Sequence, residues 1–516
     1  MPARGFFAVA ADDPGRTALV DAAERSYTYG ELAAHANAYG RGLRAVDIGD
    51  GDTVALVLRN SVELVELFVA TMQIGARLVV VNWHLTPEEI AYLLGDSGAR
   101  VVVADETSAA VATDACDRAR VALEARYCTT ARGGFVPLPE LRAGRSEVPL
   151  DDRRPGQVMF YTSGTTGRPK GVRKTVPDVA PGDLTLQAGL GMVRELPPPE
   201  PDMVHLVGGP LYHAAPLASV AGALDLGALL VLMDRFTPER WLELVAHHRV
   251  THVSMVPTMF HRLLALPDDV RENVDVSSLR AVSHAGAPCG VELKRRTIEW
   301  LGPIVTEYYS ATEGGGTLVT SEEWLARPGT VGRAMPGVSV RILDDDGAEC
   351  PAGEPGHVYL SPTMWEFEYH RDAAKTEANR RDGLFTVGDI GYLDDNGYLF
   401  LCDREAEIIN SGGVNIYPAE VEARLLDHPT VADAAVIGVP DEEWGESVRA
   451  LVKVAPGTRP DDELAATLVA WCRDGIAHYK CPRAVDFLDS LHRDPNGKLR
   501  KSALRAPYWA GHARHI

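Results

Sequence analysis

Twelve residues about a third of the way along the chain, Tyr161-Thr-Ser-Gly-Thr-Thr-Gly-Arg-Pro-Lys-Gly-Val172, concentrate small and hydroxylated side chains directly before a lysine. Side chains this small cannot build a core. They follow an apolar run, Val158-Met-Phe160, that reads as a strand. A strand handing over to such residues makes a loop whose N–H groups and hydroxyls close round an anion, with the Lys170 ammonium beside it. The spacing departs from the Walker A pattern, because Pro169 precedes the lysine and Gly171-Val172 follows it. A β/γ-phosphate pair accounts for six consecutive small or hydroxylated residues, Thr162–Gly167, better than a plain surface turn does.

Four further clusters carry chemistry of the same kind. Tyr308-Tyr-Ser-Ala-Thr-Glu-Gly-Gly-Gly316 offers a flat ring, a hydroxyl and a carboxylate around one turn. A magnesium nucleotide needs such a stacking surface, an α-phosphate contact and a hard oxygen ligand. The same Thr-Glu pair also suits the start of a helix. Asp389 closes Phe385-Thr-Val-Gly-Asp389 at a strand end, where a carboxylate can take two ribose hydroxyls; Asp403-Arg404 follows a second β pattern. Near the C-terminus, the Asn496-Gly497 turn in Asp494-Pro-Asn-Gly-Lys-Leu-Arg-Lys501 sets Lys498 at an exposed tip. Singly, these are an ordinary turn aspartate, surface ion pair and solvated lysine.

The elements that must position these residues follow from hydrophobic periodicity. Tyr29–Leu43 has helical spacing, Val54–Leu58 and Leu78–Val81 read as strands with the helical Val62–Ile74 between them, and Arg100–Ala104 reads as a buried strand. The alternation returns at His205–Val207, Leu229–Leu232, the helix Pro238–His248 and His252–Val256. It predicts α/β layers with parallel strands. After about residue 335, Val338–Leu343, His357–Leu360 and Tyr398–Leu401 are separated by the turn signals Asp346-Gly347, Gly353 and Asn396-Gly397, which predict hairpins. From Ile408 a βα pattern resumes: helix Ala419–Leu426, strands Ala434–Val439 and Arg449–Val454, helix Asp462–Trp471. A boundary is expected near residue 405, giving an N-terminal domain 1–405 and a C-terminal domain 406–516.

At 516 residues the chain exceeds one ordinary core. Its net charge of −21 argues against a nucleic-acid or anionic-membrane partner, so a phosphate ligand needs a local site and a divalent cation. Eight lysines stand against 43 arginines, and two of the eight, Lys170 and Lys498, lie beside glycine-rich turns. The seven cysteines are dispersed with no Cys-x-x-Cys, as expected of reduced thiols in the cytoplasm. Met1–Ala10 is too short an apolar run for a signal peptide, and Ser219–Met233, interrupted by Asp225, falls short of a membrane span.

In this order, the five clusters resemble the adenylate-forming superfamily of acyl-CoA synthetases, peptide-synthetase adenylation domains and beetle luciferases. The resemblance runs from about Tyr27 to Arg505. It implies an α/β fold, with a large N-terminal domain of distorted β layers flanked by helices and a small mobile C-terminal α/β lid. It implies ATP, Mg2+ and CoA as cofactors and two half-reactions. A carboxylate attacks the α-phosphate of ATP to give an acyl-adenylate and pyrophosphate, and after the lid turns, the CoA thiol displaces AMP. A carboxylate is a poor electrophile, and adenylation supplies its leaving group by positioning and charge neutralisation.

Carried onto this chain, the resemblance assigns Thr162, Ser163, Gly164, Thr165, Thr166, Gly167 and Lys170 to the β/γ-phosphates. It gives Thr162 and Glu313 to magnesium, Thr312 to the α-phosphate, Tyr309 and Gly286-Ala287-Pro288 to the two adenine faces, and Asp389 and Arg404 to the ribose. Lys498 would neutralise the carboxylate and α-phosphate during adenylation, and Gly412-Gly413 would line the pantetheine path. His213, in Pro210-Leu-Tyr-His-Ala-Ala-Pro216, stands where fatty and aryl acid ligases place a pocket-gating ring, in the stretch that corresponds to the motif where amino-acid-activating members carry an aspartate. That favours a plain carboxylic acid (fatty, aryl or bulky polycyclic), although His213 also reads as a packed core histidine. Ala218, Ala221, Gly222 and Ala223 leave room for a bulky acid or serve close helix packing.

Three positions depart from the family pattern: Ser310 for glycine, Val176 for histidine and Ala406 for the charged hinge residue. A small residue can absorb a hinge rotation. The sharper alternative is an enzyme that adenylates well and stops at acyl-AMP, or passes it to a separate partner or carrier-protein thiol. A non-enzymatic relative would have lost Lys170, Glu313 or Lys498, and all three are present. A homodimer is the first expectation for the assembly.

Overall fold

The computed structural model describes residues 5–162, 169–175, 184–187, 202–362, 366–404, 407–411, 414–441, 444–491, 493 and 499–510, with the side chains of 403, 404 and 415 also outside the description. Among the described residues, strands form five sheets. Thr53–Val57, Arg77–Val80, Ala99–Ala104, Arg126–Cys128, Val136–Pro137 and Gln157–Val158 pair in parallel in one of them. Thr53–Val57 is buried along its whole length, as a parallel strand covered on both faces must be. The predicted helices form at Tyr29–Ala45 and Val62–Thr71, the first closed by a Thr28–Glu31 capping box.

A nine-stranded sheet lies alongside. Its centre runs Leu229–Leu232, Val204–Val207, His252–Met255, Ala281–His284 and Val305–Ala311, all parallel, before turning antiparallel at Gly314–Val319. Helix Ala214–Asp225 covers one face, and helices Pro238–His248, Pro257–Leu264 and Val291–Leu301 pack on the other with Trp241, Phe260 and Ile298 in their core. Asp225, fully enclosed at the end of its helix, accepts the N–H groups of Phe6, Leu186 and Gln187. Burial pushes its carboxyl up to about 6, against the pull of those three donors.

The hairpins predicted after residue 335 form an antiparallel sheet that includes Val340–Leu343, Gly356–Leu360, Asp389–Leu393 and Leu399–Arg404. A three-stranded sheet, Phe367–Tyr369, Lys170–Lys174 and Phe160–Thr162, joins the antiparallel sheet to the first parallel one.

The small C-terminal part holds the fifth sheet. The strands expected at 434–439 and 449–454 form, and they extend into one long antiparallel pair, Val431–Asp441 with Gly445–Val454, between helices Pro418–Leu426 and Asp462–Gly475. Alternation explains the burial on both sides. Ala434 and Val436 face a core with Val421 and Leu468, whereas Ala435 and Ile437 face Leu491 and Leu504. Among the described residues, no helix is long and apolar enough to cross a membrane.

Candidate active site

The lysine-bearing strand pairs antiparallel with the strand before the glycine-rich loop, Thr162 opposite Lys170, so the two ends of that loop are held side by side. Helix Pro87–Ser97 braces both ends. The Tyr161 hydroxyl donates to Asp96 Oδ2 at 2.6 Å, and the Tyr92 hydroxyl donates to the Pro169 carbonyl at 3.1 Å. Lys170 Nζ lies 5.6 Å from the centre of the Tyr369 ring and 3.6 Å from Asp372 Oδ2. Ser163, Gly164, Thr165, Thr166 and Gly167 lie outside the described residues.

Thr312 and Glu313 form a hairpin turn between Val305–Ala311 and Gly314–Val319, with Ala311 opposite Gly314. The alternative of a helix start does not hold. The glycines explain why: Gly315 has φ +68°, and a Cβ there would sit 2.7 Å from Leu360 Cβ, so only a bare backbone packs this closely. The turn buries Glu313, whose Oε1 accepts a 2.7 Å hydrogen bond from the Tyr369 hydroxyl. Asn379 Nδ2 donates in turn to that hydroxyl at 3.3 Å. Burial, then the Glu313 charge, pushes the Tyr369 phenol above its ordinary range, so it remains a donor.

Lys174 is buried on the same strand as Lys170, two alternations along. Burial lowers its ammonium to about 8, and the Glu313 carboxylate draws it back up. Sequence patterns single out neither Tyr369 nor Lys174. Tyr369 sits in a short strand with no glycine signal, and Lys174 has the pattern of any lysine on a strand. A carboxylate and a hydroxyl are hard oxygen donors of the kind magnesium takes, so Glu313 and Thr162 fit that ion.

Three residues before the turn, the Tyr309 hydroxyl donates to Asp389 Oδ2 at 2.6 Å. Asp389 is buried at the start of its strand and stands opposite Arg404 in the ladder. Gly286, at φ +86°, with Ala287 and Pro288 leaves the end of strand Ala281–His284. His284 is the register partner of Glu307 on the neighbouring strand, so this loop emerges beside Tyr309.

His213 is the N-cap residue of helix Ala214–Asp225, with no side-chain capping bond. Asn60 holds the preceding loop: its Nδ2 donates to the Gly209 and Met233 carbonyls and its Oδ1 accepts from Leu211 N–H. The Tyr212 and His213 rings lie 4.5 Å apart; His84 stacks on Trp83 at 3.5 Å and meets Tyr212 edge-on at 6.4 Å. The structure therefore brings together Thr162, Lys170, Glu313, Thr312, Tyr309, Asp389 and the 286–288 loop at one end of the sheets. Lys498, Ala406, Gly412 and Gly413 lie outside the described residues, as does Val176.

Gathered at one end of the sheets, these residues form a candidate site for a magnesium nucleotide, and comparison with known proteins shows the family. The AMP-binding enzyme family model matches residues 6–364, and the AMP-binding enzyme C-terminal domain matches 420–498. The chain belongs to the AMP-binding enzyme family. It is 36% identical over 495 residues to a feruloyl-CoA synthase of an Amycolatopsis species, covering 93% of each chain. It is 34% identical over 492 residues to a long-chain-fatty-acid–CoA ligase of Mycobacterium tuberculosis, covering 94% of this chain and 93% of the other. ATP-bound MatB from Rhodopseudomonas palustris superposes with a TM-score of 0.83 at 30% identity, over 99% of this chain and 100% of that one. The protein is an AMP-forming acid–thiol ligase of the acyl-CoA synthetase type, acting through an acyl-adenylate.

Proposed function

We propose that this ligase activates an aryl or polycyclic carboxylic acid in a cleft whose parts are the residues described above, and transfers it to CoA. The observation that carries the placement of the nucleotide is the Tyr309–Asp389 hydrogen bond, which sets an aromatic face and a ribose-binding carboxylate at one fixed spacing. Adenine lies between Tyr309 and the loop Gly286–Pro288, and Asp389 with Arg404 takes the ribose hydroxyls. Thr312 meets the α-phosphate. The glycine-rich loop and Lys170 hold the β/γ-phosphates, so that pyrophosphate leaves in line.

Glu313 and Thr162 would hold magnesium, which when bound neutralises phosphate charge. Tyr369 orients the Glu313 carboxylate, and Lys174 compensates its buried charge. Lys498 brings a cation to the attacking carboxylate and the α-phosphate during the first step only. After the C-terminal domain turns about Ala406, with the domain boundary between 405 and 406, Gly412-Gly413 admits the pantetheine thiol.

The ring run from Trp83 through exposed His84 and buried Tyr212 to His213 supports an aromatic acid, because flat rings offer stacking area that an alkyl chain does not use. We place the enzyme in the cytoplasm. The test is pyrophosphate release from ATP with a panel of aryl, polycyclic and fatty acids, following acyl-adenylate and acyl-CoA by mass spectrometry. Acyl-CoA formed from aryl acids at the rate of pyrophosphate release is the expected result. A preference for alkyl chains would overturn the substrate class, and no pyrophosphate from any acid would overturn the placement of the site.

A further inference from the structure

A second cluster of buried ionisable groups lies directly behind the adenine loop and takes no part in the chemistry above. Glu307, on strand Val305–Ala311, is its hub. Lys294 Nζ lies 2.5 Å from Glu307 Oε2, and His284 Nε2 lies 3.8 Å from the same oxygen. Lys294 and His284 are fully enclosed, and Glu307 is 6% exposed. The Trp324 ring covers the ammonium at 4.8 Å, and Phe260 packs edge-on to His284 at 5.2 Å. Burial pulls the Lys294 pKa down and the Glu307 pKa up, each partly opposed by the partner's charge.

The positions of these three residues in the chain are informative. His284 ends the strand before the loop 285–290, and Lys294 lies in the first turns of helix Val291–Leu301 after it. Both ends of the loop carrying Gly286-Ala287-Pro288 are therefore tied to one carboxylate. That carboxylate is two residues from Tyr309, and the side chains at 307 and 309 leave the strand on the same face. One group thus spans both walls of the adenine slot.

A buried ion pair is a weak source of stability, since apolar replacements of similar volume often leave a protein as stable or more so. What it supplies is one fixed geometry. We infer that Lys294 and Glu307, with His284 wedged against them, are positioning residues that set the width of the adenine slot between Tyr309 and the Gly286–Pro288 loop. This rests on the adenine placement proposed above. The pair touches no substrate, and it acts by holding the two walls at the spacing a purine needs.

The experiment compares wild type, Lys294→Met, Glu307→Gln and the double variant Lys294→Met/Glu307→Leu. ATP binding is measured by calorimetry without acid or CoA, alongside melting temperature and the KM values for ATP, acid and CoA. The double variant, with no stranded charge, is expected to melt within a few degrees of wild type. Its ATP affinity should nevertheless fall by about tenfold, as a sub-ångström misplacement would cause. KM for acid and CoA should stay put, and the preference for ATP over GTP should narrow. Glu307→Gln, which keeps shape and a hydrogen bond to Lys294, should lie between the two. Folded variants with wild-type ATP affinity and base preference would overturn the inference, and so would equal losses for all three substrates. Failure of the wild type itself to bind ATP would instead overturn the underlying placement of adenine.

Discussion

The Tyr309 hydroxyl and the Asp389 carboxylate meet at 2.6 Å although 80 positions separate them in the chain. The bond joins the nine-stranded sheet to the antiparallel sheet, and so fixes the two halves of the candidate site against each other. Tyr309→Phe keeps the ring face and removes this bond. A hydrogen bond to a charged acceptor contributes about 1.5–3 kcal/mol. The KM for ATP is therefore expected to rise by roughly tenfold or more, with kcat less affected, in steady-state kinetics with saturating acid. An unchanged KM would show that Asp389 is oriented by other groups.

Tyr369 holds Glu313 from one side. Tyr369→Phe is expected to raise the magnesium concentration needed for half-maximal ATP–pyrophosphate exchange, and Glu313→Gln should cut that exchange by roughly a hundredfold, the scale of losing one preorganised charge partner. Chelation with EDTA should abolish exchange in the wild type, and added magnesium should restore it. Exchange that survives EDTA would remove the metal role from Glu313.

The two half-reactions separate by variant. Lys498→Ala should lose roughly a hundredfold or more in acyl-adenylate formation, yet convert supplied acyl-adenylate and CoA to thioester near the wild-type rate. Ala406→Asp should leave thioester formation unchanged if alanine is a competent hinge. A faster CoA step in Ala406→Asp would instead favour an enzyme that hands its adenylate elsewhere.

Asp225 makes a pH prediction. Its folded pKa of about 6 lies above the ordinary carboxylate value, so the fold prefers the neutral acid. Its contribution is fully present below about pH 4 and is lost as pH rises through 6. Asp225→Asn does not titrate and gives up part of the bonding to Phe6, Leu186 and Gln187. Thermal melts should show the variant well below wild type at pH 4.5, with the gap narrowing by pH 7.5. A gap independent of pH would mean the carboxyl is ionised throughout.

The five clusters, their order and their chemistry are legible in the chain because each is local. A glycine-rich turn before a lysine, or an aromatic followed by Thr-Glu, needs only a few successive residues to declare itself. The same holds for Tyr29–Ala45 and Thr53–Val57, whose periodicity lies within one element. The two C-terminal strands are legible in the sequence, but their antiparallel pairing with each other is not, because strands of similar composition carry no mark of how they pair.

By itself, then, the sequence determined the family, the reaction class and which residues are candidates for the nucleotide, since these rest on short-range patterns of residue type. Only the tertiary structure decided that Tyr309 reaches Asp389, that Tyr369 reaches Glu313, and that Glu307 collects Lys294 and His284 behind the loop 285–290. Each of these is a contact between strands or helices distant in sequence. Their partners are ordinary tyrosines, lysines and glutamates until burial withdraws water and leaves each polar group its protein neighbours to satisfy it.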